Sequence, residues 1–352
     1  MEISTLIQLF TNLSIFGSSL FIPVIAKEFG ANAFEIGVLV SVFYLAFFIS
    51  NYLFGVLADR FCIRRVVQTG LLASSVFFLV QVYAHDLYSL FWLRLLAGFA
   101  AGIFPAALAV YAFEERRGKM GRFNAYASLG WALGSILAGW VAFYKSIFIA
   151  SAVFFALSFL ISLFLKDICN DNLPALLPWK MIKNNRRIYF PYFMRSFGAQ
   201  TIWAIFPLYL LATGGTTFWV GVAYFINTFF QFLMMQYVER FKNLYLFNIG
   251  LIFSVVAFVL YTVPNFWFIL PVQILLAFAF STLQVGAYQE ILAVNKEKAT
   301  SVGILGSIIN FTAVIGPFFA GALLHFFGFQ GVMWFGAAAA FIGLISFTKV
   351  IK

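Results

Sequence analysis

A chain of 352 residues that is 63% hydrophobic, 20% aromatic and only 10% charged carries more apolar surface than a soluble core can bury, which excludes a soluble enzyme or binding domain. The formal charge of +10 would suit nucleic acid, but the basic residues are spread over short loops bordering apolar runs. That distribution excludes a nucleic-acid partner and leaves a polytopic membrane protein whose basic side meets anionic lipid.

The chain opens on an apolar run at 4–26, flanked by Glu2 and Lys27. It is too long, and too poor in positive charge before it, for a cleaved signal sequence, and it reads as a retained helix. Runs of bilayer length, about 20 residues, follow at 34–57, 66–84, 89–112, 121–142 and 146–165. A polar stretch at 166–187, KDICNDNLPALLPWKMIKNNRR, then interrupts the series. Pro174 and Pro178 break regular structure there, and Trp179 among lysines and arginines suits a segment at the headgroup layer. The second series runs 188–212, 218–237, 244–263, 267–290, 300–323 and 329–348. Transmembrane strands would be about ten residues long with alternating polarity, and runs such as LLASSVFFLV do not alternate. The expected fold is an all-α membrane protein of twelve transmembrane helices: a six-helix bundle at 1–165, a linker at 166–187 and a second six-helix bundle at 188–352.

Eighteen of the 22 Lys and Arg lie near the chain ends or in loops after even-numbered helices, whereas the odd-numbered loops hold only Lys27 and Lys145. Positive loops stay in the cytoplasm, so both termini and the linker are expected on that face of the cell membrane. Cys62 and Cys169 fall on the same side, where thiols stay reduced, and their spacing suits no metal site.

The two series are related. Asp59, Arg60 and Phe61 recur as Glu239, Arg240 and Phe241, and Leu95, Leu96 and Ala97 recur as Leu275, Leu276 and Ala277, both at an offset of 180; Gly134 and Gly139 recur as Gly316 and Gly321 at 182. Parallel repeats of this kind are one design of secondary transporters, with a site near mid-membrane.

On these residues the chain resembles the major facilitator superfamily. GVLADRFCIRR at 55–65 is similar to that family's loop signature GxLxDRxGRR between helices 2 and 3, with Gly55, Asp59, Arg60, Arg64 and Arg65 in register. Arg94 and Gly98 resemble its RxxxG element. Gly130, Gly134 and Gly139 resemble the antiporter-type glycine motif of helix 5, and Gly316, Pro317 and Gly321 repeat it in helix 11. Cys62 and Ile63 depart from the loop signature, and Ser135 stands where the glycine motif has proline. The resemblance covers essentially the whole chain. It implies a secondary transporter that moves a small organic solute by alternating access, outward as in drug and metabolite exporters, with helices 1, 4, 7 and 10 lining the cavity.

In the loop, Asp59 is expected to pair with Arg60, Arg64 or Arg65, or to cap a neighbouring helix N-terminus. Pairing made in one access state only would latch a cytoplasmic gate, with Glu239 and Arg240 as its repeat; a static solvated cluster that fixes topology is the alternative. Arg94 and Arg195 are the intramembrane charges. An arginine near a helix centre costs about 2.5–3.5 kcal/mol on insertion scales, so each is expected to face a cavity or a partner. The structural alternatives are that Arg94 hydrogen-bonds helix carbonyls and that Arg195 reaches the inner headgroups. Gln8 and Asn12, Asn227 and Gln231, and Gln273, Gln284 and Tyr288 fall on shared helix faces, and Gln200 and Trp203 lie on the helix of Arg195. These are candidate cavity residues, each also suited to an interhelical hydrogen bond. Gly98, Gly130, Gly134, Gly139, Gly316 and Gly321 are candidate helix-packing positions.

All 12 acidic residues sit in loops or at helix ends, Glu290 nearest to an exception, and His85 and His325 fall in outer loops. No buried carboxylate is therefore expected to relay protons. Two cations in an acid-free bundle point to an anionic or polar small-molecule substrate. The alternatives are an anion exchanger or uniporter without proton coupling, and a non-transporting sensor or scaffold. An embedded enzyme would need a buried cluster of His, Asp, Ser or Cys, which the sequence lacks. The expected partners are the substrate and membrane lipid, with no nucleic acid, metal or cofactor, and the chain is expected to act as a monomer.

Overall fold

The computed structural model describes residues 2–20, 22–31, 33–115, 117, 120–140, 144–168, 179–241 and 243–351. These form fourteen α-helices and one 3-10 turn, with no strand among the described residues. The first expected span is α1 (Ile3–Leu20) and α2 (Ile22–Glu28); the next two are α3 (Ala33–Ala58) and α4 (Ile63–Val80), followed by the 3-10 turn Gln81–Tyr83. The fourth is split into α5 (Leu87–Ala101) and α6 (Pro105–Glu115), where the sequence suggested one helix. Pro105 explains the break: at the first position of α6 its missing N–H costs nothing, whereas inside a continuous helix it would remove a ladder bond. Asp86 and Ser89 form a capping box at the start of α5, with Ser89 N–H donating to Asp86 Oδ1 at 2.7 Å. The fifth and sixth spans are α7 (Gly121–Trp140) and α8 (Tyr144–Ser162).

Short α9 (Trp179–Asn184) lies in the second part of the expected linker, whose residues 169–178 fall outside the described residues. Then come α10 (Arg186–Ala212), α11 (Thr217–Val238), α12 (Asn243–Leu260), α13 (Phe266–Val294) and α14 (Lys298–Ile351). α14 carries both of the last expected spans, joined at Gly328, whose φ of 65° is a left-handed conformation that glycine adopts without strain. Six described stretches are long and apolar enough to cross a membrane, Lys298–Thr348 counting as one, and Leu244–Leu260 is a shorter apolar helix.

The chain forms two compact units. Unit 1 gathers Met1–Gly118, Tyr126–Pro178 and Asn295–Asn310; unit 2 gathers Lys119–Ala125, Trp179–Val294 and Phe311–Lys352. Relative to the sequence-based bounds, residues 119–125 and 295–310 change places. Close glycine contacts hold each transferred segment. In unit 1 a side chain on Gly55 would meet the Ala299 carbonyl at 2.9 Å and Gly303 Cα at 3.1 Å; in unit 2 Gly121 is pressed against the Met235 carbonyl and Glu239.

Within unit 1, Gly98 lies on the backbone of Phe43, where an added Cβ would sit 3.0 Å from both the carbonyl carbon and Cα. Gly130 and Gly134 lie equally close to the α1 backbone at Leu9 and Leu13, while the surroundings of Gly139 are outside the described residues. Gly98→Leu is expected to push α3 and α5 apart at a cost of about 1–3 kcal/mol, read as a lower Tm of the purified protein. Unit 2 has an aromatic core in which Trp203 stacks edge-on against Phe206 at 5.0 Å and Phe206 meets Tyr261 at 5.1 Å. Gly316 touches the backbone of Gln200 there, but nothing lies within 4 Å of a Cβ on Gly321. That glycine is therefore not a packing position: it faces open space rather than a neighbouring helix.

Candidate functional site

The loop that follows α3 brings its one carboxylate back into the protein. Asp59 is 1% exposed, which corrects the expectation that no carboxylate is buried. It does not pair with Arg60, Arg64 or Arg65. Instead it caps the first turn of α14, accepting from Ala299 N at 3.1 Å, Thr300 N at 2.7 Å and the Thr300 hydroxyl at 2.6 Å. The orphan N–H groups and the helix dipole make that turn a natural seat for an anion. Burial pushes the Asp59 carboxyl above its ordinary value, while the Thr300 and Ala299 donors pull it back.

The arginines of the loop go elsewhere. Arg60 and Arg65 are exposed, and Arg64 meets Asp167 at 3.3 Å. The repeat copy behaves like Asp59: Glu239 accepts from the backbone N–H of Arg122 at 3.2 Å, at the start of α7, while Arg240 lies exposed over the Tyr237 ring at 5.7 Å. Two further contacts in unit 1 escaped the sequence reading: Lys298, which precedes the capped turn, pairs with Glu114, and the Ser4 hydroxyl donates to Glu115. Cys62 is disulfide-bonded rather than a free thiol, against the expectation of reduced cysteines; the Ile63 N–H donates to Ile168 O at 2.9 Å, which draws this loop toward the linker. Cys169 lies outside the described residues.

Arg94, on α5 in unit 1, is 1% exposed and holds its guanidinium 4.1 Å from the centroid of the Phe43 ring. Its Nε and Nη1 donate no hydrogen bond, so the expected bonding to helix carbonyls is not made by these two atoms. Asn12, also in unit 1, accepts from the Trp131 indole N–H at 2.9 Å and donates to Gln8 O at 2.8 Å; Gln8 itself is half-buried. For Asn12 the geometry is an interhelical hydrogen bond.

Arg195, on α10 in unit 2, is 4% exposed and does not reach toward headgroups. Its Nε donates to the Ser254 hydroxyl at 3.0 Å, and its guanidinium lies between two rings, 5.3 Å from Phe280 and 5.7 Å from Phe258. Among the described residues it has no carboxylate partner. Also in unit 2, Tyr192 donates to Gln284 Oε1, and the Tyr261 hydroxyl makes no hydrogen bond among the described residues. In the same unit Asn227 donates to Gln273 O at 3.1 Å and accepts from Gln231 at 2.6 Å. The Gln273 side chain is fully buried, yet neither amide atom has a partner. Leaving such a group unsatisfied costs about 1–3 kcal/mol, which a polar ligand or water would relieve. Trp203 belongs to the aromatic core, T-shaped to Phe206 and 5.2 Å from Tyr224. Ser254 and Phe258 on α12, and Tyr261 just after it, were missed because lone residues in an apolar run carry no signal until α12 is packed against α10.

Repeated apolar helices, a carboxylate-capped loop in each repeat and two uncompensated arginines inside helices define a secondary transporter of the two-repeat kind. The chain belongs to the Major Facilitator Superfamily, whose family model matches residues 5–210 and again 188–351. A curated relative, the quinolone resistance protein NorA of Staphylococcus aureus, is 25% identical over 334 residues, spanning 86% of this chain and 84% of the relative. Among solved structures, the human organic anion transporter MFSD10 (TETRAN) matches with a TM-score of 0.86 at 15% identity over 98% of each chain. The nucleoside transporter NupG matches with a TM-score of 0.67 at 16% identity over 99% of this chain and 98% of that one. At these identities the structural matches bear on the fold alone.

Proposed function

We propose that this transporter moves a small organic anion outward across the cell membrane by alternating access, with both termini in the cytoplasm and Arg195 as the anion's counter-charge. The observation that carries this reading is the buried Arg195 guanidinium, which has no carboxylate partner among the described residues and only one hydrogen bond. A cation kept in a desolvated site at that cost is accounted for by a ligand of opposite charge. Gln273, whose amide atoms lack partners, and the free Tyr261 hydroxyl supply polar groups in the same unit. One likeness supports the outward direction: a relative is named for quinolone resistance, which outward movement of drug would provide.

Asp59 and Glu239 act in this proposal as latches that cap the starts of α14 and α7 in one access state and release them in the other. Coupling proceeds by exchange of one anion for another or by the membrane potential, since the buried carboxylate, Asp59, lies at the end of α3 rather than within the span. The test is counterflow in proteoliposomes loaded with candidate solutes. Labelled aromatic carboxylates are expected to be taken up against an internal anion, and uptake of lipophilic cations alone would refute the anion assignment.

A further inference from the structure

We infer that the start of α4 carries a binding site for the headgroup of an anionic phospholipid, separate from the transported substrate. A cavity of about 420 Å³ opens there, lined by Cys62, Arg64, Arg65, Gln68 and Asp167. Among the described residues its walls carry two cations against one anion. Arg64 and Arg65 belong to the first turn of α4, so the positive end of that helix borders the cavity; its Cys62 N-cap supplies no side-chain hydrogen bond, and the Ile63 N–H is already given to Ile168 O.

Arg65 is exposed and makes no ion pair among the described residues. Arg64 gives one Nη to Asp167 at 3.3 Å and the other to Leu163 O at 3.0 Å. With 61% of the Asp167 side chain exposed, that pair contributes little and leaves the guanidinium open to a phosphate, which it can grip bidentately.

The surfaces leading away from the cavity select a lipid over a free phosphate. α4 and α8 are stitched together antiparallel, Gln68 Nε2 donating to Ser162 O at 3.2 Å and the Ser75 hydroxyl to Ala152 O at 3.0 Å. Along this seam the outward faces stay apolar: Leu72 and Val76 on α4 are 49% and 48% exposed, and Leu157 and Leu160 on α8 are 40% and 53% exposed. Both pairs recur at three- or four-residue spacing, so each forms one stripe that continues from the cavity mouth. A phosphate held by Arg64 and Arg65 therefore leaves its acyl chains lying along an apolar seam, and charge complementarity assigns the headgroup as anionic.

The experiment is native mass spectrometry of the purified full-length protein in detergent, titrated with phosphatidylglycerol, phosphatidylcholine or inorganic phosphate. Phosphatidylglycerol is expected to bind more tightly than phosphatidylcholine. Arg64→Gln with Arg65→Gln is expected to weaken it about 30-fold, each arginine accounting for roughly a factor of five. Lys180→Gln with Lys183→Gln, in unit 2, serves as the control and leaves binding at the wild-type level. Arg65→Gln alone, at an exposed side chain, keeps the test valid if the double variant fails to fold, and is expected to cost about fivefold. Unchanged phosphatidylglycerol affinity in these variants, or equal affinity for phosphatidylcholine, overturns the site. Inorganic phosphate that binds alone and displaces the lipid overturns the lipid assignment in favour of a soluble anion.

Discussion

Arg195→Gln is expected to lower organic-anion transport about 100-fold, close to 3 kcal/mol of lost charge-assisted hydrogen bonding, while leaving Tm unchanged or raised. The two readouts separate because the side chain acts oppositely on them. In the ligand-free protein the guanidinium is a desolvated charge with a single side-chain bond, to Ser254, and two flanking rings as its compensation. Glutamine still reaches for Ser254 and removes the cost of the buried charge. With substrate present the same change removes the counter-charge of an anion, leaving that anion buried without a partner. Arg195→Lys sharpens the test. It keeps the charge but loses the planar fork that lies between Phe258 and Phe280 and grips a carboxylate with two bonds, so transport is expected to fall nearly as far. A structural arginine would behave differently, both variants losing Tm and activity together. Counterflow in proteoliposomes alongside thermal unfolding in detergent gives both readouts from one preparation.

How legible this architecture was in the sequence depended on whether the cause was local. The spans could be read because a helix in lipid must satisfy its own backbone and present about 20 apolar residues, and that rule leaves its mark in every run. The position of Pro105 was visible, but not the close approach just before it, where Gly102 packs against the Phe47 carbonyl and the Ser50 side chain of α3. Glycines show the same limit. Gly98 and Gly316 meet neighbouring backbone while Gly321 meets nothing, although the motif repeats evenly through Gly316 and Gly321. A motif records a spacing along one helix; whether a neighbour fills the gap is decided by that neighbour's rotation. Asp59 illustrates the point most sharply. Three arginines within six positions offered it partners, and a helix start 240 residues further along the chain took it instead. Two backbone N–H groups and a hydroxyl in fixed geometry satisfy a buried carboxylate better than mobile arginines that remain hydrated at the surface.

That choice makes Asp59→Ala the second large prediction. Removing the carboxylate leaves the Ala299 and Thr300 N–H groups and the Thr300 hydroxyl without their acceptor in a site from which water is excluded. The expected cost is about 2–3 kcal/mol, of the order found for an N-cap loss with a buried donor left unpaired. It should appear as amide hydrogen exchange at residues 299 and 300 that is about 30–100-fold faster, each 1.4 kcal/mol being tenfold. Asp59→Asn keeps one acceptor oxygen and removes the burial cost of the charge, so its effect is expected to be smaller. Thr300→Val deletes only the hydroxyl bond, worth about 1 kcal/mol. Combined with Asp59→Ala it should add almost nothing, since both variants remove the same contact. If the contact is a latch made in one access state, Asp59→Ala also shifts the balance between the two states, and the accessibility of a cysteine replacing Ser301, which is fully buried in the first turn of α14, should rise. Faster exchange with unchanged accessibility and unchanged transport would identify Asp59 as a static cap on α14 and remove it from the gate.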